Sequence, residues 1–439
     1  MAKPAPAPDA PAPKADVRAL LLTLFALALL CVLAYGPSLS IPLIEDDFPN
    51  LYVTQTYGAP AGLATLLHDA VFRLRATSFW AMYALWQAFH VTSWGYHVFS
   101  LLLHIANVWL VFGIARAWPH MRPAAFWAAA FFAVAEGHQE AVMWMSAMNE
   151  ALLFLFGGAS LLCWLLAWRT ASRWFLLPAS AVLFAFALLS KESAVVFMPL
   201  FLLTAPIAAR ADWGRALARL APHLFLSALA LASIAESRAS SFRFSDGSFS
   251  LHAPFWSTLP INVARVLGLW GGLACVAILL FRSAELRKSA GFALAWIVIA
   301  LAPYSFLTYS RQIPSRQTYL ASFGLSLIAG LALAHLHARK PAGRKAAAAV
   351  ALVALAANVG YLWTRKRAQF LARAEPTEQL IRLVRATDGP IWVRCFPRTP
   401  YIAEEAVDMA AGRPPSMLIW SQADAERQKP AAVFCYQGR

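Results

Sequence analysis

The chain has 439 residues, 60% of them hydrophobic and only 13% charged, with 17 Trp and a formal charge of +15. A soluble chain would carry charge on about a quarter of its residues, so a water-soluble globular protein is excluded. The basic residues are dispersed between apolar runs instead of gathered on one soluble domain. That argues against nucleic acid as a partner and makes them topology signals of a chain set in a lipid bilayer.

Residues 1–16 are Ala/Pro-rich with Lys3 and Lys14 and read as a disordered cytoplasmic tail. Val17 to Tyr35 is long enough to cross a bilayer, lacks a small-residue cleavage site and is followed by many similar runs, so it reads as an uncleaved anchor. Residues 37–95 form a first external loop. It holds the run Glu45-Asp46-Asp47, an amphipathic stretch from Leu63 to Phe72, and an aromatic stretch from Ser78 to Phe89 suited to the interface plane. Further spans are expected near 95–115, 123–135, 150–168, 174–189, 193–208, 216–234, 261–281, 290–307, 318–336 and 346–363, about eleven in all. Alternate connections carry Arg116 and Arg122, Arg169 and Arg173, Arg210, Arg215 and Arg219, Arg282, Arg287 and Lys288, then Arg339, Lys340, Arg344 and Lys345. The positive-inside rule then puts the N-terminus in the cytoplasm and the C-terminus outside, in the periplasm if the membrane is a bacterial inner membrane.

After Arg365-Lys-Arg367 the composition becomes that of a soluble module, residues 368–439. Leu380, Ile381 and Val384 mark one helix face. Ile391 to Cys395, Met417 to Trp420 and Ala432 to Cys435 read as short strands, giving a small extracytoplasmic α/β domain. Cys395 and Cys435 are disulfide candidates if those strands are neighbours on an oxidising side. Cys31, Cys163 and Cys275 lie inside apolar runs and read as small hydrophobes.

Four polar groups interrupt the apolar sequence, all on the outer face of this topology: Glu45-Asp46-Asp47; His138-Gln-Glu140 with Asn149-Glu150; Lys191-Glu192; and Arg311 to Tyr319, with Arg316. Each alone reads as a span-end charge reaching for water. Together they set acids for proton abstraction or metal binding beside bases for phosphate neutralisation. That combination suits a reaction between a phosphate-bearing lipid and an acceptor outside the cytoplasm. His97, His104 and Asn107 form a polar stripe on one helix face, a pattern for interhelical hydrogen bonds before catalysis.

The stretch Trp94-Gly-Tyr-His-Val-Phe-Ser-Leu-Leu-Leu-His-Ile-Ala-Asn107 resembles the second-span signature of membrane glycosyltransferases related to the protein O-mannosyltransferases, in particular the group with tetratricopeptide repeats after the membrane domain. Phe72-Arg73-Leu-Arg75 resembles their Tyr-Arg-Pro-Leu, and Asp46-Asp47 the acidic pair of their first external loop. His138-Gln-Glu140-Ala-Val, Leu189-Ser-Lys191-Glu192 and Arg316 to Tyr319 are similar to three further motifs. Ser100 stands where that group has Asn, Ala135-Glu136 where it has His-Pro, Asn149-Glu150 where it has Lys-Asp, and the repeats are absent.

The resemblance implies an all-α GT-C-like membrane bundle over residues 17–367. It also implies a sugar donor on polyprenyl phosphate and transfer with inversion to an extracytoplasmic acceptor: protein, lipid or surface glycan. An attacking hydroxyl needs a base. Asp46 is the expected base, with Asp47 or Glu45 orienting it or sharing a divalent ion. Lys191, Arg316 and Arg243 are expected to stabilise the leaving phosphate, and His138, Glu140, Glu150 and Tyr319 to complete the substrate site. Asp47 and Glu140 are the expected ligands of an Mg or Mn ion, if one is used. A transporter or flippase would place its polar breaks in mid-span, whereas here they sit at span ends. A non-catalytic partner in envelope glycan assembly is the remaining alternative.

Overall fold

The structure is a computed structural model that describes residues 16–170, 172–208, 213–238, 249–308 and 311–437. The expected N-terminal tail therefore lies outside the described residues except for Asp16. The Asp16 carboxylate accepts the backbone N–H groups of Arg18 and Ala19, capping the first helix, Val17–Tyr35.

Long apolar runs have no backbone partner in lipid other than themselves, and they form helices. Among the described residues, seven helical segments are long and apolar enough to cross a membrane: Val17–Ser40, Ser93–Ala117, Met145–Ala167, Trp213–Ser237, Phe255–Leu280, Ala284–Phe306 and Pro341–Ala386. Shorter apolar helices, Arg122–Val134, Arg173–Leu188, Glu192–Ala205 and Ser322–His337, stand at the other expected spans. The helix Ser322–His337 is the hub, with every residue from Ser322 to Leu333 buried. Its small residues permit this. A Cβ added to Gly330 would lie 2.7 Å from the backbone nitrogen of Ala128, and one on Gly324 would lie 2.4 Å from the Ala293 carbonyl oxygen. The first helix, by contrast, turns Leu21, Leu22 and Phe25 outward, as a lipid-facing helix does.

The first external loop folds as short helices packed on the bundle. Helix Asp47–Tyr57 lies against Ala76–Phe89, which buries Phe79 and Met82. Within the amphipathic stretch from Leu63 to Phe72, a helix spans Leu63–His68. Asp69 ends it by accepting the backbone N–H groups of Val71 and Phe72 and the Tyr57 hydroxyl.

Beyond the membrane, the last span runs through a π-turn, Leu362–Lys366, straight into helix Arg367–Ala386. Three parallel strands follow, β1 (Ile391–Cys395), β2 (Leu418–Ile419) and β3 (Ala432–Cys435), in the order β2-β1-β3. Leu380 and Val384 of the helix pack with Ile391, Val393 and Phe434 of the sheet in a small core. Cys395 and Cys435 are disulfide-bonded, with Cα atoms 4.5 Å apart. This domain is not a tethered appendage. Phe370, Ala374, Ile381 and Ala406 are buried in the same apolar core as the membrane helices.

Candidate functional site

The acidic run forms a tight turn at the start of helix Asp47–Tyr57, and its three carboxylates have three different situations. Asp47 is buried. It accepts the backbone N–H of Ile44 at 2.8 Å, and the Ser146 N–H at 2.9 Å and hydroxyl at 2.5 Å. Burial pushes its carboxyl up to about 7, against those hydrogen bonds. Glu45 has a left-handed backbone, φ +46°. It is gripped by Arg373, whose Nε and Nη2 donate to its two oxygens at 3.1 and 2.5 Å, and by Arg398 Nη2 at 2.5 Å. Asp46 is half-buried and, among the described residues, has no hydrogen-bond or ion-pair partner for its carboxylate. Burial first, then the neighbouring Glu45, push its carboxyl up, while Arg316, Arg373 and Arg398 pull it down. A carboxylate so placed is free to take a proton.

Beside the turn, Trp144 carries a guanidinium on its ring from Arg373 at 4.4 Å and another from Arg316 at 5.0 Å. Glu140 sits between them. One oxygen accepts the Arg316 backbone N–H at 3.1 Å and lies 3.6 Å from its Nη1, and the other is 4.0 Å from Arg373 Nη1. Glu140 and Arg316 also line a cavity of about 400 Å³, together with Arg265, Ile313, Ser315 and Lys366. Arg265 donates to the Ile313 carbonyl. Glu136, whose carboxyl is raised by burial and lowered by Lys366 and Arg265, lines a neighbouring cavity of about 200 Å³ with Trp270, Ala357, Asn358 and Tyr361. The larger cavity thus presents three cations, Arg265, Arg316 and Lys366, beside one carboxylate, Glu140.

Several expected site residues take other places. Lys191 and Glu150 form a buried ion pair, with Tyr304 donating to Glu150 at 3.2 Å and exchanging a hydrogen bond with Ser193 at 2.8 Å. Lys191, expected on the donor phosphate, and Glu150, expected in the substrate site, are thus paired with each other, and Lys191 is not among the residues lining these two cavities. His138 and Tyr319 are also fully buried. His138 Nε2 is 2.5 Å from the Ser322 hydroxyl, and the Tyr319 hydroxyl meets His104 at 2.8 Å and Asn107 at 3.2 Å. Both spend their polar atoms on neighbouring protein groups. His97 reaches the Ile41 carbonyl at 2.9 Å, and Asn107 the Ala151 carbonyl at 2.9 Å, so the polar stripe bonds between segments as expected. Arg243 lies outside the described residues.

The expected metal ligands do not fit an Mg or Mn ion. Asp47 spends its oxygens on Ile44 and Ser146, and Glu140 faces two arginines. Among the described residues no three His, Cys, Asp or Glu side chains gather as a metal site. Conversely, sequence reading missed Arg265, Lys366, Arg373 and Arg398. Arg265 had a signal, a lone charge inside an apolar span, which marks function by default. In sequence Lys366 reads as a boundary charge, and Arg373 and Arg398 carry no local signal.

Residues 77–236 match the family model described as dolichyl-phosphate-mannose-protein mannosyltransferase. A stretch of 111 residues is 34% identical to the protein O-mannosyl-transferase Tmtc1 of Drosophila melanogaster, covering 24% of this chain and 12% of that protein. Among solved structures, ArnT from Cupriavidus metallidurans bound to undecaprenyl phosphate aligns at TM-score 0.55 and 14% identity, over 95% of this chain and 90% of that one. The Archaeoglobus fulgidus oligosaccharyltransferase tethered to an acceptor peptide aligns at TM-score 0.50 and 12% identity, over 91% of this chain and 64% of that one. The chain is a multi-pass membrane protein with the GT-C glycosyltransferase fold, and the resemblance carried by its motifs points the same way. The family match covers neither the acidic turn nor Arg265, Arg316 and Lys366.

Proposed function

We propose that this protein moves a sugar from a polyprenyl-phosphate donor to an acceptor hydroxyl on the extracytoplasmic face of the membrane. One observation carries the reading: a cation-lined cavity stands beside a half-buried carboxylate that has no partner among the described residues. The fold relative described with undecaprenyl phosphate supports a polyprenyl phosphate as the donor's lipid, and the one with a tethered peptide is consistent with a protein acceptor.

The chemistry follows from the charges. The acceptor oxygen attacks the anomeric carbon from the face opposite the phosphate while Asp46 takes its proton. The bond from that carbon to the phosphate oxygen breaks, its electron pair stays on the oxygen, and the lipid leaves as a phosphate monoester with one more negative charge. The configuration inverts. Arg265, Arg316 and Lys366 stabilise the added charge, so the leaving group needs no protein acid. Asp47 holds the turn in register by bonding Ser146.

In this reading residues 17–367 are the membrane catalytic domain and 368–439 an extracytoplasmic domain of a bacterial inner-membrane protein, with the N-terminus in the cytoplasm. The Cys395–Cys435 disulfide supports that side, because disulfides persist in oxidising compartments. The test is binding of undecaprenyl phosphate to purified protein. Arg265→Ala and Lys366→Ala are each expected to lose a charge-assisted contact, about 1.5–3 kcal/mol, or roughly ten- to a hundredfold in affinity. Unchanged affinity in both variants overturns the phosphate assignment.

A further inference from the structure

Glu45 holds a backbone conformation that costs a non-glycine residue about 1–3 kcal/mol and persists only where the surroundings over-determine it. Here the surroundings are two arginines from the other end of the chain. Arg373, from helix Arg367–Ala386, makes a two-pronged contact with the Glu45 carboxylate, and Arg398 adds a third donor. The Arg373 guanidinium is itself fixed, over the Trp144 ring at 4.4 Å and the Phe370 ring at 5.1 Å, and it reaches Glu140 on the cavity wall at 4.0 Å. Arg398 follows β1 at the end that the Cys395–Cys435 bond ties to β3. One guanidinium thus joins the turn bearing Asp46 to the wall of the cavity, and the folded C-terminal domain supplies it.

We infer that Arg373 and Arg398 are positioning residues: they lock Glu45 in its left-handed turn and so aim Asp46 at the cavity, making the C-terminal domain part of the site. The kinetic consequence rests on the glycosyltransferase reading, whereas the clamp itself is a property of the turn. The titratable and charged groups facing Asp46 are Glu45 and the buried Asp47 on its own turn, Arg316 from the segment before the hub helix, and Arg373 and Arg398 from the C-terminal domain. Removing the last two leaves Glu45 less opposed, so Asp46 should hold its proton to higher pH.

The experiment uses full-length protein in detergent with Arg373→Gln, Arg398→Gln, their double variant and Arg373→Lys. Backbone amide exchange is read in residues 41–50 and in the hub helix, and transfer kinetics are read against pH. In the double variant, exchange in 41–50 is expected to quicken about 10-fold or more while the hub helix is unchanged. Turnover should fall about 10²-fold, the cost of a misplaced reacting group. KM for the donor should hold and the acid limb of the profile should move to higher pH. Arg373→Lys should restore part of the rate. Unchanged exchange in 41–50 overturns the inference. So does a rate loss that follows quickened exchange in the hub helix with an unmoved acid limb, since that is a merely structural role. If the wild-type protein transfers no sugar from any polyprenyl-phosphate donor, the glycosyltransferase reading fails, and the exchange of residues 41–50 alone decides for or against the clamp.

Discussion

Lys191 and Arg316 look alike in sequence, each a cation at a span end, yet Lys191 is paired in the interior and Arg316 lines a cavity. Lys191 is buried on Glu150, and breaking a buried pair costs about 3–5 kcal/mol because it strands the partner's charge. Lys191→Met is therefore expected to lower the melting temperature sharply while the protein that remains folded binds polyprenyl phosphate as before. Arg316→Ala should weaken that binding with little change in melting. The reverse pattern, measured on the same two variants, returns Lys191 to the donor site. Asp46 makes a pH prediction. Its carboxyl is raised, so it is still protonated, and useless as a base, at a pH where an ordinary aspartate is ionised. Transfer should decline as pH falls through a value above the usual aspartate range of about 3.9, and an acid limb at or below that range contradicts the assignment. Asp46 was legible in sequence because acids are scarce in this chain. Arg373 was not. Its bond to Glu45 joins positions 328 residues apart, and nothing local announces such a pairing.

Helices and strands were more legible than contacts, since lipid dictates an apolar run of a given length and a strand leaves its alternation in the sequence. The expected first span, Val17 to Tyr35, and the three strands coincide with the observed elements to within a residue or two at most. The amphipathic stretch after Leu63 had no boundary legible in sequence, since Asp69 offers its carboxylate to the following backbone and ends the helix at His68. Helix packing was hidden altogether. Gly330 in the hub helix gave no outward sign of meeting the Ala128 backbone. Gly330→Val should force the two helices apart, and overpacking of this kind costs about 1–3 kcal/mol. A melting temperature in detergent equal to that of the wild type would show that the two helices do not approach so closely.

At the scale of the molecule, the membrane bundle and the C-terminal domain share one continuous helix and one apolar core, from Pro341 through Ala386. The compositional change after Arg367 suggested a separate module, but composition says nothing about docking, and it left the domain looking separable. Its docking brings Arg373 and Arg398 to the acidic turn, while the π-turn places Lys366 on the cavity wall. The proposed function is a base-assisted transfer from a lipid phosphate, run through Asp46 in this assembled site. The direct measurement is transfer of a labelled sugar from a polyprenyl-phosphate donor by purified wild-type protein and by Asp46→Asn, with melting and undecaprenyl phosphate binding followed in parallel. Asp46→Asn keeps the side chain's size and removes its proton affinity, so turnover should fall about 10²–10⁴-fold while melting and lipid binding stay at wild-type values. A folded, lipid-binding Asp46→Asn protein that turns over like the wild type contradicts the claim.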